Sequence, residues 1–276
     1  MLLEIGRQLP RPVRNFLKVA LRRQVRRAFA MSYYRDSMRL IGTWSKLRTE
    51  DSNFYYKLTP RNRSHLAHLL SNLTGESRSS ILTYFDELEN DEVLRSHISD
   101  AVRDAKYGRD IDVNYARRVG WYAIARIIKP KVIIETGVDH GVGSCVLTSA
   151  LARNASEGFR GRYYGTDINP KAGKLLRGKY AEYGEILYGD SIESLKKFSS
   201  PIDLFINDSD HSVEYEMSEY HVVAEKMTEH GVILSDNAHC SDSLDNFSVE
   251  AGRSFVFFSE KPENHWYPGG GIGISF

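Results

Sequence analysis

The pattern of hydrophobic and polar residues separates a helical first part of the chain from an alternating second part. From Pro12 to Met31 apolar residues recur at helical spacing, and Arg and Lys fill much of the opposite face. This spacing predicts a basic amphipathic helix. Residues 50–107 also carry apolar groups at helical spacing, interrupted by Thr-Gly-Glu-Ser at 74–77, and they predict several short helices without a catalytic motif.

After Pro130 short β-branched runs alternate with helical stretches, which is typical of a parallel sheet with crossover helices. The predicted strands are Val132–Thr136, Arg162–Thr166, Glu185–Leu187, Asp203–Asn207, Val232–Ser235, Phe255–Phe258 and Gly271–Ser275. We therefore predict an α/β fold, a Rossmann-like doubly wound sheet of seven mostly parallel strands preceded by an α-helical N-terminal region. The predicted divisions are a basic helix (1–31), a helical region (32–108) and an α/β domain (109–276), with a boundary near Gly108.

Charge is distributed unevenly along the 276 residues. Residues 1–31 contain eight Lys or Arg and one acid, a charge of +7, so the total of +1 leaves −6 for the remainder. Basic charge confined to one helix argues against a nucleic-acid substrate. The two cysteines, Cys145 and Cys240, lie in unrelated contexts and favour neither a disulfide framework nor a zinc site. With no apolar run long enough for a membrane span, we expect a cytoplasmic protein.

Three interpretations of the basic helix remain open. It suits an interfacial helix attracted to anionic lipid at the inner face of a membrane, and it equally suits an Arg-rich transit peptide. The third interpretation is a helix packed on its own protein or on a partner. A homo-oligomer is compatible with the sequence, which leaves the oligomeric state open.

Polar residues and glycines follow the first predicted strand, where open α/β sheets bind ligands. Glu135 is followed by Gly137 and Gly141, and Ser144 opens a predicted helix. Glycines at this point let the backbone approach a ligand closely. Their spacing differs from the Gly-x-Gly-x-x-Gly of dinucleotide sites, which argues against NAD or FAD.

The second and third strands end in residues suited to a nucleoside. Asp167 lies 32 residues after Glu135, where an acid can accept hydrogen bonds from both hydroxyls of a ribose. Asp190 and Ser191 follow the third strand and can bind an adenine edge. Each residue alone could instead begin a turn or cap a helix, but together they favour a cofactor site.

The fourth and fifth strands bring carboxylates to the same edge of the sheet. Asp208 follows one strand, and Asp236 with Asn237 follows the next, 28 residues later. These oxygen ligands suit a hard cation such as Mg²⁺ or Mn²⁺ with open positions for water and substrate. Asp210 is an alternative ligand, although the spacing favours Asp208.

These strand-end residues resemble those of class I S-adenosylmethionine (SAM)-dependent methyltransferases, in particular metal-dependent O-methyltransferases of the catechol and macrolide-sugar types. The resemblance covers roughly residues 110–276 and implies that the region 109–276 is a SAM-binding methyltransferase domain. It implies that Glu135 and the loop 137–141 hold the methionine part of SAM, Asp167 the ribose, and Asp190 with Ser191 the adenine. Asp139 replaces a glycine that many relatives have in this loop.

The same resemblance assigns roles on the acceptor side. Asp208, Asp236 and Asn237 would hold the ion, and His211 lies where those enzymes place the base that takes the proton of the acceptor hydroxyl. An ordinary imidazole, with a pKa of about 6.5, suits this task near neutral pH. His239 is a secondary candidate. The implied reaction is O-methylation of a small molecule or a glycan, with a vicinal diol or a catechol suiting the open metal positions.

Alternatives remain open at this stage. One is a metal-independent methyltransferase in which Asp208 and Asp236 orient the substrate directly. Another is a non-catalytic SAM-binding or membrane-docked scaffold, and a hydroxylase is disfavoured because no facial pair of His with a carboxylate is evident. The acceptor itself carries no clear motif, although residues 265–268 (His-Trp-Tyr-Pro) suit either a pocket wall or packing on the sheet edge.

Overall fold

The structure of the chain, a computed structural model, describes residues 10–46, 56–104 and 113–276. Its central element is a seven-stranded sheet with the order β3-β2-β1-β4-β5-β7-β6. The strands are β1 (Val132–Thr136), β2 (Arg162–Asp167), β3 (Gly184–Tyr188), β4 (Ile202–Asn207), β5 (Met227–Ser235), β6 (Phe255–Ser259) and β7 (Gly271–Ser275). Strands β1 to β5 pair in parallel, whereas β7 runs antiparallel to both β5 and β6.

All seven predicted strands are present, and the predicted Rossmann-like fold is confirmed. The largest difference is at β5, which begins at Met227 rather than at Val232. After Met227 the strand continues with three polar, at least partly exposed residues, Thr228 to His230, which interrupt the hydrophobic signal. Met227 nevertheless pairs with Ile202 of β4 beyond a register shift. Backbone pairing therefore extends this strand further than its side chains indicate.

The direction of strand order reverses between β1 and β4, because β2 and β3 lie on one side of β1 while β4 and β5 lie on the other. The helices that follow β1 and β4, which are Val142–Ser156 and Val213–Ala224, accordingly pack on opposite faces of the sheet. In doubly wound folds this switch point is the place where ligands bind.

Helices surround the sheet and precede it. They are α1 (Arg11–Tyr33), α2 (Arg35–Trp44), α3 (Pro60–Thr74), α4 (Arg78–Glu89), α5 (Glu92–Asp104), α6 (Arg118–Ile128), α7 (Val142–Ser156), α8 (Ser191–Lys197), α9 (Val213–Ala224) and α10 (Ser243–Glu250). The interruption at 74–77 separates α3 from α4, as the sequence predicts. Gly75 takes a left-handed conformation (φ 74°) after α3, and the Ser77 side chain caps α4 by accepting the Ser80 N–H.

The described residues form two compact units. The first contains α1, α2 and residues 264–266, and α1 covers the predicted basic helix. The second contains the sheet and the other helices, including those between residues 56 and 104. The predicted boundary near Gly108 lies outside the described residues. Among the described residues, no helix is both long enough and apolar enough to span a membrane.

The apolar core of the second unit joins the N-terminal helices to the sheet. Leu66 of α3 and Phe85 of α4 are fully buried in the same cluster as Trp121 of α6 and Ile206 of β4. A second cluster covers the opposite face of the sheet, and its members include Phe205 of β4. Because α3, α4 and α6 share one core with the sheet, the start of α6 is held at the edge of the ligand crevice.

Candidate active site

A cavity of about 770 Å³ opens at the carboxyl ends of the strands, within the size range of small-molecule sites. Nine of the eleven predicted site residues line it: Glu135, Gly137, Asp167, Asp190, Ser191, Asp208, His211, Asp236 and Asn237. The other two, Gly141 and Ser144, lie outside the lining. The structure also places Arg117, Arg118 and Tyr215 in this wall, and the sequence analysis assigned a role to none of them.

The loop after β1 lies directly against the loop after β4, and Gly137 makes this contact sterically possible. Gly137 has a φ of 79°, and a Cβ atom at this position would lie 1.9 Å from the carbonyl oxygen of Asp208. Any other residue would force the two loops apart. Gly137 therefore joins the predicted cofactor loop to the predicted metal and base residues.

Glu135 lies at the base of the cavity, almost completely buried against the start of α7. A Cβ atom on Gly143 would lie 2.1 Å from Glu135 Oε1, so a glycine at this position of the helix makes room for the carboxyl group. The Tyr163 hydroxyl donates a hydrogen bond to Glu135 and lies 2.7 Å from Ser144 Oγ. Ser144 therefore contacts Tyr163, the hydrogen-bond partner of Glu135, and does not line the cavity. Any effect of Ser144 on a ligand is indirect.

Burial raises the pKa of Glu135 to about 7, although the Tyr163 hydrogen bond acts in the opposite direction. An unfolded glutamate has a pKa of about 4.3. Between these two values the folded chain holds a proton that the unfolded chain has lost, so this group's contribution to stability falls as the pH rises from about 4 to 7. Below that window the group is protonated in both states, and above it the group is ionised in both states, so stability changes with pH through this group only inside the window.

Glu135→Gln should therefore become more stable relative to the unchanged protein as the pH rises through this window. Urea unfolding of both proteins at several pH values between 4 and 8 measures the difference, and subtracting the two curves cancels the other titrating groups. The exposed variant Glu182→Gln is the control and should show no such trend. A pH-independent difference for Glu135→Gln would contradict the raised pKa.

Asp167 ends β2 on the opposite side of the cavity from β4, and two backbone groups hold its carboxylate. Its Oδ2 accepts the Asp139 N–H at 2.9 Å, and its Oδ1 accepts the Asn169 N–H at 2.8 Å. A carboxylate oxygen can accept more than one hydrogen bond, so both oxygens keep capacity for ligand hydroxyls. The fixed orientation is the one needed to bind a diol.

The side chains of Asp190 and Ser191 form hydrogen bonds with other parts of the protein. Asp190 caps α8 by accepting the Glu193 N–H at 2.9 Å, and its other oxygen accepts the Tyr215 hydroxyl at 3.0 Å. Ser191 is buried and donates a hydrogen bond to Glu219. Asp190 therefore caps a helix, as the alternative interpretation of the sequence expected, and it also lines the cavity.

Glu219 of α9 is a buried acceptor beneath the cavity that the sequence analysis missed. It accepts hydrogen bonds from Thr136 Oγ1 at 3.0 Å and from Ser209 Oγ at 2.9 Å, and also from Ser191 and Asn207. The donors come from the ends of β1 and β4, from the loop after β4 and from the start of α8. This carboxylate therefore ties together the loops that carry the predicted catalytic residues, and an acidic residue in a helix offers no local signal of that role.

Asp236 forms a buried ion pair with Arg117, which donates hydrogen bonds to both of its carboxylate oxygens. Burial acts to raise the pKa of Asp236, but the Arg117 charge outweighs it and holds the pKa below its usual value. Burial together with the Asp236 charge raises the pKa of the neighbouring Asp208 well above its usual range. The pKa values of the two neighbouring acids are therefore shifted in opposite directions.

The predicted metal ligands have protein partners or none in the structure. Both oxygens of Asp236 accept hydrogen bonds from Arg117. The amide nitrogen of Asn237 is buried without a hydrogen-bond partner. Across the described parts of the chain, no group of three His, Cys, Asp or Glu is arranged to hold a metal. The predicted Mg²⁺ or Mn²⁺ site is thus not confirmed.

Arg117 is itself held by a second acid. Its Nη1 donates to Glu260 Oε2 at 3.2 Å, and the same oxygen accepts the Tyr56 hydroxyl at 2.8 Å and the Gly270 N–H at 3.0 Å. Glu260 and Tyr56 are buried. This network joins the residue that precedes α6 to the last two strands of the sheet, through contacts between residues more than one hundred positions apart.

The predicted base His211 is exposed on the loop after β4 and lines the cavity, as does His239 after β5. Asp210, the alternative metal ligand, is exposed and accepts the Ser212 N–H at 2.8 Å. From the segment 265–268 the structure places Tyr267 in the cavity wall. Trp266 belongs to the first compact unit, where its ring lies 4.6 Å from that of Trp44.

A comparison with known families agrees with the fold of this part of the chain. Residues 134–238, from within β1 to just beyond β5, match a family model described as a methyltransferase domain. The predicted resemblance to class I SAM-dependent methyltransferases is thereby confirmed, and the metal-dependent subtype is not. No curated protein matches the sequence.

Three solved structures are similar to the chain. The O-methyltransferase TomG from Streptomyces achromogenes, in complex with SAM, is 16% identical, with 68% of this chain and 90% of that chain covered and a TM-score of 0.48. An O-methyltransferase from Bacillus cereus with S-adenosylhomocysteine (SAH) is 13% identical (76% and 96%, TM-score 0.46). A methyltransferase from Geobacter sulfurreducens is 17% identical (71% and 96%, TM-score 0.49). At these scores none of them supports an argument about the substrate.

Proposed function

We propose that the protein is an O-methyltransferase that transfers the methyl group of SAM to a hydroxyl of a small molecule or a glycan. The observation that carries this proposal is the division of a single cavity into two halves. Asp167 and Asp190 line one half, at the ends of β2 and β3, whereas Asp208, His211 and Asp236 line the other, after β4 and β5. Such a cavity can hold a nucleoside cofactor beside an acceptor.

The cofactor half provides the groups that SAM requires. The Asp167 carboxylate, oriented by two backbone N–H groups, would accept the ribose hydroxyls, and Asp190 with Ser191 would lie beside the adenine. The loop 137–141 would contact the methionine part. SAM supplies the electrophilic methyl group when it is bound.

In the acceptor half His211 would remove the proton from the hydroxyl as its oxygen attacks the methyl carbon. The new bond joins this oxygen to the methyl carbon, the bond from carbon to sulfur breaks, and its electron pair remains on the sulfur of SAH. The exposed position of His211 lets the proton pass on to water. Holding the acceptor and the methyl group in line lowers the barrier to transfer most where water is excluded. We therefore place the acceptor at the buried edge of the cavity near Asp236.

The Mg²⁺ assistance predicted from the sequence is the less favoured form of this proposal. Arg117 already provides the positive charge beside Asp236, so the ion pair favours the metal-independent alternative, in which Asp208 and Asp236 orient the acceptor directly.

Two measurements test the proposed function. Calorimetry should show SAM and SAH binding that is strongly weakened in Asp167→Asn and unchanged in the exposed variant Glu182→Gln. Methyl transfer from labelled SAM to a panel of catechols, sugars and glycans should proceed equally with and without EDTA. Activity abolished by EDTA and restored by Mg²⁺ would reinstate the metal-dependent mechanism, and the absence of SAM binding would favour the scaffold alternative.

We further propose that α1 contacts an anionic membrane surface. Several large apolar side chains of α1 are mostly exposed, among them Phe16 (72%), Leu21 (67%) and Phe29 (65%). The helix is rich in Arg and has no acidic residue in its first turn. Basic helices with exposed aromatic and aliphatic groups lie in the headgroup region of anionic bilayers.

The protein should therefore sediment with vesicles containing phosphatidylglycerol and remain in solution with phosphatidylcholine vesicles. Binding should weaken as salt rises, because surface charges are screened. Phe16→Ser combined with Phe29→Ser should reduce binding without changing SAH affinity, and Phe159→Ser, a change at an exposed residue of the second unit, is the control. Equal sedimentation of all three proteins would refute a role for α1.

A further inference from the structure

Arg118, the first residue of α6, lines the cavity beside Arg117 but has no comparable partner. Its Nε atom is buried and makes no hydrogen bond. Across the described residues no carboxylate lies within 4.0 Å of its guanidinium, whereas Arg117 pairs with both Asp236 and Glu260. The Arg118 charge acts to lower the pKa values of Glu135, Asp208 and Asp236, but it forms no direct ion pair with any of them. A guanidinium that is partly removed from water and has an unused donor beside a ligand cavity points to an anionic ligand.

The position of Arg118 relates it to one end of the cavity. Its guanidinium stacks on the Trp121 ring, with Cζ 5.4 Å from the ring centroid. Trp121 in turn lies against Gly143 at the start of α7, since a Cβ atom on Gly143 would be 3.1 Å from Trp121 Cζ3. The same Cβ would meet Glu135. Arg118 is therefore close to the end of β1, which lies between β2 and β4 in the sheet.

This end of the cavity is where the methionine part of SAM lies under the function proposed above. The methionine part of SAM carries one carboxylate, and the planar fork of arginine matches the two oxygens of a carboxylate. The cation–π contact with Trp121 restrains the Arg118 side chain, which reduces the conformational entropy lost on binding. We propose that Arg118 binds the α-carboxylate of the methionine part of SAM and SAH. This inference rests on the proposed function.

Calorimetry with two ligands tests the inference. SAH carries the carboxylate, and decarboxylated SAH lacks it while keeping the ammonium group and the adenosine. The unchanged protein should bind SAH more tightly, by about 10- to 100-fold, as expected for a charge-assisted hydrogen-bonded pair. Arg118→Gln should lose this preference by weakening SAH binding alone, and Arg118→Lys should recover part of it.

The control Arg160→Gln removes the same charge at an exposed residue outside the cavity and should retain the full preference. Unchanged SAH affinity in Arg118→Gln would overturn the inference, and so would an equal loss of affinity for both ligands. Unchanged SAH affinity combined with a raised KM for an acidic acceptor would assign Arg118 to the acceptor instead. If the unchanged protein bound neither ligand, the proposed function itself would fail.

Discussion

Arg117→Met should lower the free energy of unfolding by about 3–5 kcal/mol, the usual effect of breaking a buried ion pair from one side. The substitution keeps most of the side-chain length but leaves Asp236 and Glu260 buried without their shared cation. Asp236 would then have to take up a proton or lie uncompensated beside Asp208. Urea unfolding at neutral pH, followed by circular dichroism, measures the loss.

A second variant separates the electrostatic effect from a packing defect. Adding Asp236→Asn to Arg117→Met removes one of the two carboxylates that the loss of Arg117 leaves buried without a cation. The double variant should therefore recover part of the lost stability. Arg162→Met is the matched control, because Arg162 pairs with Glu185 on the surface and exposed pairs contribute at most about 1 kcal/mol. A loss of similar size in Arg117→Met and Arg162→Met would show that water screens the Arg117 network.

His211→Gln should lower kcat by a factor of about 10² to 10⁴, the usual contribution of a general base. Gln keeps a hydrogen-bonding side chain of similar reach but cannot accept the proton of the acceptor hydroxyl. Because His211 lies on the loop after β4, away from Asp167 and Asp190, SAH affinity should stay the same. Single-turnover methyl transfer and SAH calorimetry measure the two quantities separately.

His239→Gln is the matched control for this prediction, since His239 is a second exposed histidine in the same cavity wall. A small effect at His239 with a large effect at His211 would support the assignment. Near-normal turnover in His211→Gln would remove His211 from the mechanism, and the reverse order of effects would transfer its role to His239.

The residues at the ends of the strands could be predicted because parallel strands align their carboxyl ends. A hydrophobic run that ends in a polar residue therefore indicates both the strand and its position at the ligand edge. Asp167 and Asp208 both lie where this reasoning placed them, and they share one cavity. Ser144 shows where the reasoning falls short, because the direction of its side chain into the core is decided by packing against Tyr163.

The ion-pair and hydrogen-bond partners of the predicted acids could not be predicted from the alignment of strand ends. Asp236 was predicted as a metal ligand because carboxylates on adjacent strands are typical of such sites. Its actual partner, Arg117, precedes it by 119 positions and reaches it because α6 packs in the same core as the sheet. Glu219 likewise accepts hydrogen bonds from four residues outside its own helix, because α9 packs beneath the loops that carry them.

The sequence by itself determined the seven strands, the Rossmann-like class and the strand-end residues that line the cavity, since hydrophobic periodicity and the alignment of parallel strands are local and general properties. Only the tertiary structure decided which charges meet in that cavity. It pairs Asp236 with Arg117, places Asp208 beside that ion pair and leaves Arg118 facing the cavity without a carboxylate partner within 4.0 Å among the described residues. These contacts depend on how distant helices dock on the sheet, and no spacing along the chain encodes that docking.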